Sequence, residues 1–186
     1  ILYPPFGGTR DKSEMPLKKT PIVFSRVQWF PDGRKLVYAR WGEGAGHNDI
    51  YVYDLKTEEE KRITWRARAM DPSVSADGKT IAYIHNDGGV QNLALIDSDG
   101  RNTRYLTNFN NGTQLYAPCW TSDGSHIIVG IMQENNRDIA IVKSDAAPFD
   151  RFRKLTDTTF FADSVNYQQD LDLLLLVHTD ADERDP

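Results

Sequence analysis

Three copies of one turn, Pro31-Asp32-Gly33, Ala76-Asp77-Gly78 and Ser122-Asp123-Gly124, recur with their aspartates 45 and 46 residues apart. A degenerate fourth copy, Gln169-Asp170-Leu171, follows 47 residues later. A repeat of this length calls for a row of equal supersecondary units rather than one irregular core. The match extends beyond the turn. Trp29, Val74, Trp120 and Tyr167 stand before each aspartate, and Leu36, Ile81, Ile127 and Leu174 open an apolar strand after it. A polar loop leads to a third strand at Asp49, Asn92 and Asp138, and a short fourth strand ends on Ile63-Thr64, Leu106-Thr107 and Leu155-Thr156.

Asp-Gly is a hairpin signal because both central turn positions can take positive φ, which Gly and Asp tolerate. The flanking segments are rich in Val, Ile, Tyr and Trp, the residues that suit half-buried strands. Four short strands in roughly 40–45 residues is the period of a β-propeller blade. No apolar i, i+3, i+4, i+7 stripe runs through a unit, so helical repeats are a poor fit. The expected fold is therefore all-β, a propeller with four-stranded blades over 24–64, 71–107 and 116–156, plus part of a fourth over 164–180. Closed propellers have about four to eight blades. This is an incomplete ring, and the remaining blades are expected from the same or another chain. An uncovered blade at either end would present apolar surface and favour association. Residues 1–23 read as loop or linker, with Ile1-Leu2-Tyr3 either the outer strand of a preceding blade or the tail of a linker. Residues 181–186 read as a polar tail.

The strings Trp29-Phe30-Pro31-Asp32-Gly33-Arg34-Lys35-Leu36-Val37-Tyr38, Asp49-Ile50-Tyr51-Val52-Tyr53-Asp54-Leu55 and Arg62-Ile63-Thr64 resemble the repeat of TolB-type, WD-repeat-like propellers. So do Ser73-Val74-Ser75-Ala76-Asp77-Gly78-Lys79 and Arg104-Tyr105-Leu106-Thr107. The first copy departs from the pattern with Phe30 where the family usually has Ser. The resemblance implies a non-catalytic module of the bacterial envelope, periplasmic or secreted, that binds protein or peptide partners. The same repeat also occurs in propellers attached to serine peptidases, which implies the alternative of a gating domain. A polysaccharide-active propeller enzyme is a further alternative.

The formal charge of −5 offers nucleic acid no basic face. No run of eighteen apolar residues occurs, so no transmembrane helix is expected. The single cysteine, Cys119, excludes an intrachain disulfide. The chain starts at Ile1 without a signal sequence, which reads as the end of a processed or trimmed polypeptide.

Catalytic signatures are absent from the sequence. There is no Gly-x-Ser-x-Gly elbow, phosphate loop or dinucleotide fingerprint. His47, His85, His126 and His178 include no pair at metal-ligand spacing. No catalytic residue, metal or cofactor is expected. Asp32, Asp77 and Asp123 are explained as turn formers that bond their own backbone. His85 and His178 share one repeat position at the end of the second strand, where the other units have Arg40 and Ile131. That strand end faces the same side as the inter-blade loops Trp65–Met70, Asn108–Gly112 and Asp157–Asp163. Arg and aromatic residues are enriched at interface hot spots. The candidate partner-binding rim is therefore Arg66, Arg68, His85, Phe109, Phe160, Phe161 and His178. For each, packing between blades is the competing role.

Overall fold

In a computed structural model of the chain, the described residues are 26–41, 46–134, 136–145 and 152–156, together with the strand backbones of 161–168 and 173–179. The first sheet has strands β1 (Val27–Trp29), β2 (Lys35–Trp41), β3 (Asn48–Asp54) and β4 (Glu59–Arg62), in that order. The second repeats it with β5 (Ala69–Val74), β6 (Thr80–Asp87), β7 (Val90–Asp97) and β8 (Arg104–Tyr105). The third has β9 (Gln114–Trp120), β10 (His126–Gln133), β11 (Asn136–Lys143) and β12 (Phe152–Lys154). An antiparallel hairpin of β13 (Phe161–Gln168) and β14 (Leu173–Thr179) begins a fourth unit, bridged to β11 only at Arg137 and Phe161. The chain is thus three full blades and part of a fourth in an incomplete ring. Residues 1–23 and 181–186 lie outside the described residues.

Strand alternation explains the stacking. On β6, Ile81 and Tyr83 join a core shared with the first blade, while Ala82 and Ile84 join one shared with the third. On β7, Ala94 and Ile96 face the first blade, and Leu93 and Leu95 the third. Both faces of the middle blade are therefore dry. Each fully buried Ile or Leu contributes about 1.5–3 kcal/mol. On the face of the first blade away from the second, Leu36, Tyr38, Tyr51 and Tyr53 form a further cluster. These residues are buried. Two polar groups of this face are paired locally. The Tyr38 hydroxyl donates to Glu60, and the Arg40 guanidinium lies 3.8 Å from the Tyr51 ring centroid.

The repeated turn differs from the two-residue hairpin expected for Asp-Gly. Only its glycines take positive φ (63°, 71° and 68° at Gly33, Gly78 and Gly124). Each glycine N–H donates to the residue three before it, Phe30, Ser75 or Thr121, at 2.9 Å. Each aspartate instead accepts from the N–H two residues on, at 2.9 Å from Arg34 and 3.0 Å from Lys79 and Ser125. The carboxylate replaces backbone pairing, so the aspartate itself needs no left-handed conformation.

First strands converge on one axis. The Trp120 indole donates to the Ser73 carbonyl at 3.0 Å, and Val74 N–H donates to Gln28 Oε1 at 3.1 Å. Arg26 reaches the Pro118 carbonyl at 3.5 Å, from the first blade to the third. β5 and β9 each carry a bulge at the same repeat position, with φ of 50° at both Asp71 and Ala117. The two bulges touch, since Ala117 N–H donates to Asp71 Oδ2 at 3.2 Å. Among the described residues, no helix is long and apolar enough to cross a membrane.

Candidate functional site

The site is built on a polar lock inside each blade. Asp49, the second residue of β3, has no exposed surface. Its Oδ1 accepts from the Thr64 hydroxyl at 2.9 Å and from Ala67 N–H at 3.0 Å. Its Oδ2 accepts from Arg66 N–H at 3.1 Å and pairs with the Arg62 guanidinium at 2.5 Å. Thr64 Oγ1 in turn accepts from Ile50 N–H at 2.9 Å. One carboxylate thus ties the start of the third strand to the end of the fourth and to the loop beyond it. A buried charge needs this degree of pairing to be tolerated.

The second blade repeats the lock in neutral form, and the third repeats it with charge. Asn92 accepts from the Thr107 hydroxyl at 2.9 Å and from Phe109 N–H at 2.7 Å, and its amide donates to the Phe109 carbonyl at 3.1 Å. In the third blade, Asp138 accepts from Thr156 at 3.0 Å and pairs with Lys154 at 3.1 Å. The residue two before each threonine varies in step with the acid: Arg62 and Lys154 accompany the aspartates, and neutral Tyr105 accompanies the asparagine. Charge is balanced blade by blade.

What each lock holds is different. After the first blade the loop exposes Trp65, at 66% of its surface, and both Arg66 and Arg68 are exposed. Arg66 and Arg68 take left-handed backbone with φ of 54° and 45°. Arg62 lies 5.9 Å from the Trp65 ring centroid. Arg68 faces Asp87 at 3.9 Å. His85 lies behind this loop. Its Nδ1 is 2.6 Å from the Ala67 carbonyl, and its ring meets Tyr105 edge-on at 5.3 Å. The structure therefore brings Arg66, Arg68 and His85 into one locality. Phe109 sits apart, against the core shared by the second and third blades, with its ring edge-on to Phe152 at 5.3 Å. Phe160 lies outside the described residues. Phe161 pairs with Thr179 and His178 with Ala162 at the open end of the β13–β14 hairpin.

The second-strand position shared by Arg40, His85, Ile131 and His178 does not form a uniform polar ring. Arg40 is buried and doubly bonded to Glu60 at 3.1 and 2.5 Å. Burial pulls its guanidinium pKa down, but the hydrogen bonds and charge of Glu60 outweigh this and raise it. Ile131 belongs to the core between the second and third blades. Burial raises the Tyr83 phenol to about 12 and pushes Tyr105 up as well, so both stay neutral donors. Burial also raises the Cys119 thiol, which disfavours its thiolate form. Among the described residues, no group of three His, Cys, Asp or Glu side chains could hold a metal ion.

The family model PD40, described as the TolB beta propeller domain, matches residues 9–156. The chain belongs to the TolB β-propeller domain family. TolB from Acinetobacter baumannii superposes with a TM-score of 0.69 at 22% identity, over 87% of this chain and 39% of that one. An oligogalacturonate lyase solved with manganese gives a TM-score of 0.61 at 22% identity, over 82% of this chain and 46% of that one. In sequence, the chain is 29% identical over 112 residues to an uncharacterized peptidase, YuxL of Bacillus subtilis, covering 56% of this chain and 16% of that protein. The chain spans less than half the length of each. At these identities the two structural likenesses speak for the fold alone. The TolB-type repeat accounts for the turn aspartates and the strands, and its locks carry the loops. Sequence reasoning singled out Arg66 and Arg68 but not Trp65 or Asp49. The signal for Asp49 was present: an acid or amide stands near the start of the third strand of every repeat, and a threonine closes the fourth.

Proposed function

We propose that this TolB-type propeller is a non-catalytic module that binds a protein or peptide partner in the cell envelope. The supporting observation is the loop Trp65–Arg68. An indole and two guanidinium groups stand in solvent on a backbone fixed by a buried carboxylate. Binding residues characteristically sit on loops held by a rigid scaffold, and exposed Trp and Arg are hot-spot types. The experiment is affinity capture from an envelope extract with the intact protein. A discrete, salt-sensitive partner is expected. Turnover of a small substrate with no captured protein would overturn the reading.

A second reading has one specific support, the 29% identity to the peptidase YuxL. Under it, the blades gate a catalytic domain elsewhere in the same polypeptide. The full reading frame decides this. A Gly-x-Ser-x-Gly motif followed by Asp and His would favour the peptidase, and its absence from the complete frame would remove it.

A further inference from the structure

We infer that the loop Trp65–Arg68 anchors an acidic segment of a protein partner, with Trp65 packing on an apolar side chain and Arg66 and Arg68 pairing with its carboxylates, while Asp87 occupies Arg68 in the unbound protein. This deepens the partner-binding reading and rests on it.

Four observations carry it. First, Trp65 is the most exposed large hydrophobic among the described residues, at 66%. An indole left in water offers a large apolar area to a partner at small conformational cost. Its neighbour Arg62 is itself fixed by Asp49, so the ring is backed by a rigid group. Second, Arg66 and Arg68 hold left-handed backbone, which non-glycine residues adopt only when the surroundings impose it. At Arg66 it is held by Asp49 through the N–H groups of Arg66 and Ala67, and the Arg68 carbonyl is held by Asn86 N–H at 3.2 Å. The guanidinium groups are thus presented from a prepared loop, and ordering costs on binding fall. Third, the local charge opposes that of the chain. The whole carries −5, yet this loop carries two exposed arginines. Arg66 makes no ion pair among the described residues, and Arg68 has only the exposed Asp87 at 3.9 Å. An exposed pair of this kind is worth about 0–1 kcal/mol and yields readily to a better carboxylate.

Fourth, the opposite end of the blades has the wrong charge for an anionic partner. A groove of about 350 Å³ between the second and third blades is lined by three carboxylates, Asp77, Asp123 and Asp145, against one cation, Arg104. An acidic segment is therefore directed to the Trp65 end. A lone ring on a convex loop also suits a peptide side chain better than a saccharide, which needs a lined cleft.

The test uses the full chain and a soluble random Glu–Tyr copolymer, which supplies carboxylates beside apolar rings. Polyglutamate, polygalacturonate and anionic phosphatidylglycerol vesicles are run in parallel. The copolymer is expected to bind more tightly than the other three and to weaken with salt. Trp65→Ala should lower its affinity about tenfold, and Arg66→Ala and Arg68→Ala about threefold to fivefold each. Asp87→Asn should raise affinity about twofold to threefold by releasing Arg68. All four positions are exposed, so unchanged melting curves verify folding. The inference is overturned if the copolymer does not bind, if its binding ignores these substitutions, or if polygalacturonate or vesicles bind more tightly. If the intact protein captures a partner that a Trp65→Ala/Arg66→Ala/Arg68→Ala variant retains, the inference falls and the partner-binding reading stands. If turnover replaces capture, the reading itself falls.

Discussion

The loops that follow the first and second blades leave locks of the same layout but different charge, and end in opposite places. In both, an early third-strand residue, Asp49 or Asn92, grips a threonine hydroxyl and the backbone of the next loop. After the second blade, the amide uses both its oxygen and its NH2 on Phe109, and the ring folds against Phe152 of the next blade. After the first, the carboxylate spends its acceptors on Arg62, Arg66 and Ala67, and Trp65 is left in solvent. One scaffold thus yields one loop that packs and one that presents. The difference lies in the charge of the lock and in the residue it releases, not in the strands.

The comparison can be broken most severely at the acid. Asp49→Ala removes the partner of Arg62 and leaves the N–H groups of Arg66 and Ala67 and the Thr64 hydroxyl without their acceptor. Losing one side of a buried pair costs about 3–5 kcal/mol. Asn92→Ala breaks neutral bonds only and should cost about 1–3 kcal/mol. Urea unfolding of the two variants measures the gap. The same contrast is sharpened by transplanting the neutral lock. Asp49→Asn and Arg62→Tyr should each destabilise, while the double substitution recovers part of the loss, with a coupling of about 1 kcal/mol or more in a double-mutant cycle.

Equivalent tryptophans give a smaller contrast. The Trp120 indole donates to Ser73 across the blade boundary, whereas the Trp29 indole N–H is buried with no hydrogen-bond partner among the described residues. Trp120→Phe should therefore cost about 1–2 kcal/mol more than Trp29→Phe, because the latter also removes an unsatisfied donor. Thermal melts of both variants check this.

The smallest effect is on pH dependence. The Ser125 and Thr121 hydroxyls hold Asp123 well below the usual carboxylate range, Ser75 does the same more weakly for Asp77, and Arg34 pulls Asp54 to about 2. Carboxylates lowered on folding add stability that is present above the unfolded value, about 3.9, and lost as pH falls through the folded ones. Stability should therefore be level above about pH 5 and fall below about pH 4. Asp123→Asn should flatten that fall, as measured by melting temperature between pH 6 and 2. The first turn has Phe30 in place of Ser75 and Thr121, so it has no such hydroxyl at this position. Phe30 packs instead into the core between the first and second blades.

The blades were legible in the sequence because period-two alternation and the Asp-Gly turn both depend on near neighbours. The turn type was not, since the aspartate acts through its side chain rather than its φ. The lock was harder to read. Asp49 and Thr64 lie on strands that meet only after the third and fourth strands fold together, and each looks like an ordinary strand-end polar residue. Only their recurrence with Arg62, Tyr105 and Lys154 in step betrays them. The bulges at Asp71 and Ala117 are marked in the sequence by the prolines that follow them, Pro72 and Pro118, and not by glycine, because their left-handed backbone falls on non-glycine residues. Arg66 and Arg68 were singled out for their type. Trp65 needed the structure, because a tryptophan next to a strand ordinarily packs inward.

The central claim is that Asp49 builds the loop and Trp65 uses it. Parallel measurement of unfolding free energy and partner affinity for Asp49→Ala and Trp65→Ala tests this directly. The account predicts that Asp49→Ala loses about 3 kcal/mol or more of stability, while Trp65→Ala keeps wild-type stability within about 0.5 kcal/mol and loses most partner affinity. A Trp65→Ala variant that unfolds early, or that binds its partner as the wild type does, would contradict it.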